Sequence, residues 1–84
     1  MNKISIALTK NLIKDIASDD GPIFNAASKF VTDPEFQGIL SESGCPENII
    51  NAMIDTANLS YIERVYCCKK ILDEVKKIPA LGED

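Results

Sequence analysis

Two adjacent cysteines, Cys67 and Cys68, are the most reactive groups in this sequence. Nearby cations such as Arg64 and Lys70 favour the thiolate, which is the nucleophilic form of the side chain. Cys68 falls on the apolar side of a predicted helix, however, and the favoured interpretation is that both cysteines are small packed side chains. With Cys45 the cysteine count is odd, and neighbouring residues are poorly placed to bridge each other. We therefore expect reduced thiols and a cytoplasmic protein.

Other catalytic and metal-binding chemistry is not indicated. The chain has no histidine, which excludes a Ser–His–Asp triad, a Cys–His pair and a histidine-ligated metal. Its four glycines are scattered along the sequence and form no phosphate-binding loop. The acids Asp19, Asp20, Asp33 and Glu35 lie at predicted helix breaks and starts, where solvation and capping explain them. We predict that the protein is not an enzyme and that it holds no metal and no cofactor.

The acidic residues are concentrated in the middle of the chain. Nine of the thirteen lie between positions 15 and 63, where Lys29 is the only base. Residues 1–14 carry three lysines and no acid, residues 64–77 carry five cations and two acids, and the net charge is −4. Segregated charge steers a partner of opposite sign, whereas a net negative charge argues against direct nucleic-acid binding. The expected partner is therefore another protein with a basic surface.

The candidate partner-binding residues lie on one predicted helix and on the segment before it. Those of the helix recur at helical spacing opposite an apolar stripe, so they form one polar face. The predicted set is Glu35, Glu42, Glu47, Asn51, Asp55 and Asn58. We expect a small non-catalytic module of this kind to act as an inhibitor, an immunity-type or antitoxin-type protein, or a regulatory adaptor.

A second hypothesis starts from the basic end of the chain. Lys69 and Lys76 are seven residues apart, as are Lys70 and Lys77, so they share one side of a predicted helix. Together with Arg64 they could bind a small anionic ligand, such as a nucleotide, in an oligomeric helical protein. The solvated face of an ordinary amphipathic helix has the same row of lysines, and we therefore place this alternative second.

The elements that carry these residues are all predicted to be helices. No segment alternates as a strand does, and apolar residues recur at three- and four-residue spacing near 3–18, 22–31, 34–41, 46–58 and 61–77. Asp20 is predicted to cap the second helix, and either Thr32 or Asp33 the third. Ser60 and Glu63 have the spacing of a capping box. Because the breaker at 58–60 is weak, residues 46–77 could also form one kinked helix.

These segments predict an all-α fold, a compact bundle of four to five short helices around one core with the longest helix near the C-terminus. Residues 1–78 form the single domain, and residues 79–84 a flexible tail. No apolar run reaches the roughly 18 residues that a membrane span needs, and the first residues are interpreted as a helix and not as a signal peptide. The stripe of Val65, Cys68, Leu72 and Val75 could also form a homodimer seam. The predicted core comprises Leu8, Leu12, Ile16, Ala27, Phe30, Phe36, Leu40, Ile50, Met53, Ile54, Val65, Cys68, Leu72 and Val75.

Overall fold

Five α-helices make up most of the protein, for which a computed structural model describes residues 1–80. They are α1 (Lys3–Ile16), α2 (Gly21–Val31), α3 (Pro34–Glu42), α4 (Glu47–Ala57) and α5 (Tyr61–Val75). The described residues contain no strand, and α5 is the longest helix, with 15 residues. The predicted all-α fold with its longest helix near the C-terminus is confirmed. Of the predicted tail, residues 81–84 lie outside the described residues.

Short polar side chains begin α2 and α3 where the sequence predicts them. The carboxylate of Asp20 accepts a hydrogen bond from the backbone N–H of Ile23 at 3.1 Å. That of Asp33 accepts one from the backbone N–H of Glu35 at 3.0 Å. Thr32, the other candidate cap of α3, instead lies at the C-terminal end of α2. A cap of this kind typically stabilises a helix by about 1 kcal/mol.

The turns on either side of α4 fix where it begins and where α5 follows. Gly44 has a φ of +97°, a conformation that glycine adopts without a steric cost. It allows the backbone N–H of Cys45 to donate to the carbonyl of Leu40 at 3.0 Å, which closes the end of α3. Before α5, the carboxylate of Glu63 accepts from the backbone N–H and from the hydroxyl of Ser60, at 3.3 and 2.9 Å. The predicted capping box is confirmed, and the single kinked helix over 46–77 is wrong.

The core lies where α1, α2, α4 and α5 meet. α1 packs against α2, α4 and α5, while α3 packs against α2 and α4. Most of the predicted core is correct, with buried side chains at Ile16, Ala27, Leu40, Ile50, Met53, Cys68 and Val75, and partly buried ones at Leu12, Phe36, Ile54 and Leu72. Fully burying an aliphatic or aromatic side chain contributes about 1.5–3 kcal/mol, so these residues supply the main stabilisation of the bundle.

Three predicted core residues are wrong, since Leu8 is 62% exposed, Phe30 54% and Val65 37%. α1 buries the side that carries Thr9, Ile13 and Ile16, whereas Leu8 lies about 100° around the helix from Thr9 and outside that side. This is possible because Thr9 can be fully buried, as its hydroxyl donates to a carbonyl one turn earlier at 2.8 Å. Phe30 lies at the edge of the bundle, where its ring centroid is 5.3 Å from that of Phe36.

The stripe that was a candidate dimer seam packs inside the chain. Cys68 and Val75 are buried, and Leu72 packs partly buried against the core. Of the four residues, Val65 is the one with substantial exposure. The apolar side of α5 is thus used to complete the core of a single chain.

Candidate protein-binding surface

The six residues predicted to bind a partner all lie at the surface. They are exposed side chains on two helices that pack against each other, Glu35 and Glu42 on α3, then Glu47, Asn51, Asp55 and Asn58 on α4 and its C-terminal cap. The opposite side of α4 is buried in the core through Ile50 and Met53. The side-chain amide of Asn58 also donates to the carbonyl of Ile54 at 3.0 Å, so this residue helps to end α4. The predicted polar face is therefore open to solvent.

The acids of the middle segment lack cationic partners within residues 1–80. On α5, by contrast, Asp73 lies 4.0 Å from Lys76 and Glu74 lies 3.2 Å from Lys77. Three of the nine middle acids are used at helix starts. The other six are exposed and form no salt bridge in the described part of the chain; they are Asp15, Asp19, Glu35, Glu42, Glu47 and Asp55. Their negative charge is left for solvent or for a partner.

Packing of α1 against α5 brings the two basic flanks of the sequence together. Lys3 and Lys10 of α1 and Lys76, the C-terminal cap of α5, line one hollow of about 400 Å³, which we call the α1–α5 hollow. The same hollow is lined by apolar side chains, including Ile6 and Val75, and by no acid of the middle segment. The separation of charge along the sequence is therefore retained on this side of the fold.

Arg64, one of the residues predicted for anion binding, is engaged inside the fold. Its Nε donates to the carbonyl of Ile16 at 2.9 Å, its Nη1 to that of Leu59 at 3.0 Å and its Nη2 to that of Ser18 at 3.3 Å. Its Cζ lies 3.8 Å from the ring centroid of Phe24. The bonds to Ile16 and Ser18 satisfy carbonyls at the last residue of α1 and just after it, which have no partner within that helix. An anion would have to compete with them for the guanidinium.

The four lysines of the alternative anion site are exposed, two on α5 and two directly after its last residue, and have contacts typical of a solvated helix face. Lys70 places its Nζ 4.6 Å from the ring centroid of Tyr66, and two others form the ion pairs just described. Lys69, Asp73 and Lys76 border one shallow hollow. A carboxylate between the lysines opposes anion binding, and Arg64 lies on another side of the helix. No observation favours this alternative.

A groove between α1 and α3 was not predicted from the sequence. Its walls are mainly apolar, with Leu8 and Leu12 on α1 and Phe36 and Ile39 on α3. Leu8 is 62% and Ile39 is 58% exposed, so both side chains are largely in water. We call this feature the α1–α3 groove.

A second hollow, of about 300 Å³, continues the α1–α3 groove towards α2. It shares Leu8, Leu12 and Phe36 with the groove and adds Phe30 and the acid Asp15.

The sequence contains one signal for this surface, which lies on α3. Glu35, Ile39 and Glu42 recur at four- and three-residue spacing and therefore share a face of that helix. An isoleucine between two acids on a solvated face is a departure from an ordinary amphipathic pattern.

All three cysteines are free thiols. Burial raises the pKa of Cys68 to about 11, with a further increase from neighbouring Cys67 and a smaller decrease from Arg64. Burial also raises the pKa of Cys45. A raised pKa lowers the thiolate fraction at neutral pH, so neither of these buried thiols is an activated nucleophile. Cys67 is partly exposed, and its interpretation as a packed, unreactive side chain stays a prediction.

The described residues meet the requirements of neither a metal site nor a membrane-spanning helix. Between residues 1 and 80, no three side chains of the metal-ligating types are grouped to hold an ion. None of the helices in that part of the chain combines the length and the apolarity that a membrane crossing requires.

Comparison with known proteins places the chain in no family. No family description matches the sequence, and neither a curated protein nor a solved structure matches it. The function of the protein is therefore inferred from its fold and from the chemistry of its surface.

Proposed function

We propose that this protein is a small, non-catalytic protein-binding module whose acidic surface docks onto a basic surface of another protein. In this proposal it acts as an inhibitor, an immunity-type or antitoxin-type protein, or a regulatory adaptor. The observation that supports it is the set of six exposed middle-segment carboxylates without a salt bridge in residues 1–80. Complementary charge of this kind accelerates encounter and selects among partners.

The proposed contact surface is the outer side of α3 and α4. The carboxylates there need not first be released from an internal lysine or arginine, so a partner's cations can pair with them directly. Nucleic acid would be repelled by the same surface, which is why we propose a protein as the partner. The three free thiols fit a reducing compartment, and we place the protein in the cytoplasm.

The proposal is tested by removing two unpaired acids and comparing the result with the removal of two paired ones. The test variant carries Glu42→Gln and Asp55→Asn, both far from the helix N-termini, where acids stabilise the helix. The control variant carries Asp73→Asn and Glu74→Gln on α5, whose carboxylates already lie near lysines. Both variants change the net charge equally, so a difference between them reports the position of the charge.

The measurement begins with capture of a partner from the native host on the immobilised protein at low salt. The identified partner is then titrated against the wild type and both variants. Two exposed charge pairs, at about 0.2–1 kcal/mol each, predict an increase in Kd of roughly twofold to thirtyfold for the test variant and a smaller increase, below about twofold, for the control. Affinity should fall steeply between about 50 and about 300 mM salt. Equal effects of the two variants, or an affinity independent of salt, would contradict the proposal.

A further inference from the structure

We propose that the α1–α3 groove receives an amphipathic helical segment of the partner, with apolar side chains on one face and Lys or Arg beside them. This inference depends on the proposed function, because it specifies the partner's chemistry and adds a contact that charge alone does not provide. Helix-in-groove recognition of this type uses apolar anchors at helical spacing.

The exposed apolar side chains of α1 and α3 are the first argument. Leu8 on α1 and Ile39 on α3 both line the groove with more than half of their surfaces in water, and Ile4, one turn before Leu8, is 73% exposed. Partly buried Leu12 and Phe36 line the same groove. A contiguous exposed apolar surface of this kind typically marks an interaction site.

The shape of the surface is the second argument. α3 packs against α2 and α4, whereas α1 packs against α2, α4 and α5, so α1 and α3 border the groove without close packing between them. The wall formed by α1 from Ser5 to Asp15 is about 15 Å long at a helical rise of 1.5 Å per residue. A partner helix of about three turns has the same length and could lie along it.

The charge around the groove is the third argument, and it selects a basic partner. Asp15 lines the hollow that continues the groove. On α3, Glu35 and Glu42 flank Ile39 at helical spacing, and both are exposed. The lysines of the α1–α5 hollow lie on the other side of α1. Lysines or arginines beside the partner's apolar anchors would therefore meet carboxylates and no competing lysine among the residues that line the groove.

A second copy of this chain is the competing occupant. α5 itself exposes Ile62 at 78% and Tyr66 at 61%, and Lys70 contacts Tyr66. This face has the apolar and basic chemistry that the groove would accept. Such a contact would join unlike surfaces of two copies and would build open chains unless a ring closed. The experiment therefore has to distinguish a foreign helix from self-association.

The probe is a fluorescein-labelled peptide of about 14 residues, with leucines at i, i+3, i+4 and i+7 and lysines at the other positions. A control peptide of the same composition has its leucines distributed around the helix. Binding is measured by fluorescence anisotropy with wild type, with Leu8→Ser/Ile39→Ser and with Ile62→Ser, which removes an exposed isoleucine outside the groove. Unchanged thermal unfolding of the variants shows that the substitutions at these exposed positions leave the fold intact.

We expect the amphipathic peptide to bind, and Leu8→Ser/Ile39→Ser to weaken it at least tenfold while Ile62→Ser changes its Kd less than twofold. The control peptide should bind at least tenfold more weakly than the amphipathic one. No binding, or equal binding by wild type and the groove variant, overturns the inference. Light scattering that shows self-association lost in both Ile62→Ser and the groove variant also overturns it, since the occupant is then a second copy.

The same variants separate this inference from the proposed function. Glu42→Gln/Asp55→Asn tests the acidic surface with the host partner, whereas Leu8→Ser/Ile39→Ser tests the groove. If the acidic variant weakens the host partner and the groove variant does not, the docking proposal stands and the groove inference fails. If the groove variant alone weakens it, the acidic surface is not the determinant and the proposed function fails.

Discussion

Replacing Arg64 by alanine is expected to lower the free energy of unfolding by about 3 kcal/mol. The guanidinium donates to three backbone carbonyls, two of them at 2.9 and 3.0 Å and the third at a longer 3.3 Å. A hydrogen bond contributes a net of about 0.5–1.5 kcal/mol, and more where the donor is charged. The contact with the Phe24 ring at 3.8 Å adds about 0.5–1 kcal/mol. These contributions together give the expected loss, with the weaker third bond at the low end.

The hydrogen bonds of Arg64 also connect two parts of the chain that are far apart in sequence. Ile16 and Ser18 are 48 and 46 residues from Arg64, so the side chain joins the start of α5 to the end of α1. Arg64→Lys keeps the positive charge but replaces the planar fork by a single ammonium, which cannot reach all three carbonyls and stack on the ring at once. We expect this conservative variant to lose about 1.5–2 kcal/mol. Lys69→Ala, an exposed change on the same helix, should cost less than about 0.5 kcal/mol.

Urea unfolding monitored by circular dichroism measures these differences. For a chain of this size the denaturant slope is about 1 kcal/mol per molar urea, so Arg64→Ala should move the midpoint down by roughly 2–3 M. Thermal melts provide an independent ranking of the three variants. A loss below about 1 kcal/mol for Arg64→Ala, or a lysine variant as stable as the wild type, would refute the reasoning that these carbonyl contacts stabilise the fold.

Three further predictions concern stability. Gly38 lies inside α3 with nothing within 4 Å of an added Cβ, so Gly38→Ala should raise the free energy of unfolding by about 0.5–1 kcal/mol. Gly44→Ala, by contrast, places a side chain at a φ of +97° and should lower it by about 1–2 kcal/mol; a pair of urea titrations checks both signs. The pKa of Cys68 is about 11 in the fold against an ordinary value of 9.0, so the unfolded chain releases this proton first and stability falls as the pH rises from 9 to 11. The wild type should lose about 2 kcal/mol more than Cys68→Ala across that window, and parallel pH profiles for the two would contradict the assignment.

The helix boundaries were predictable because their signals are local. Asp20 and Asp33 cap the helices that follow them through bonds within three residues, and Ser60 and Glu63 do the same for α5. The choice of which side of α1 is buried was not predictable in this way. Its apolar residues cover a broad arc, and the helix buries Thr9 while it exposes Leu8. That choice depends on which neighbouring helices are present, and sequence periodicity alone contains no such information.

Of the candidate surface, only the exposure of its charged side chains was predictable, because water solvates charged groups better than the core does. Carboxylates remain at the surface unless they are paired, so the exposure of Glu42, Glu47 and Asp55 follows from their type. The role of Arg64 was not accessible, because two of its acceptor carbonyls belong to residues far away in the sequence. The α1–α3 groove was missed for a related reason. It exists because two helices that are not adjacent in sequence lie side by side without packing closely.

The uses of the positive charges explain why the acidic surface remains available. The single arginine satisfies backbone carbonyls, and two lysines that directly follow α5 pair with acids of that helix. No lysine or arginine between residues 1 and 80 forms a salt bridge with the acids of α3 and α4. A partner that supplies cations there does not have to break internal ion pairs, and it gains the interaction without that cost. A protein with the same number of acids, each paired within its own chain, would offer a partner much less, and the availability of these carboxylates is therefore a better argument for binding than their number.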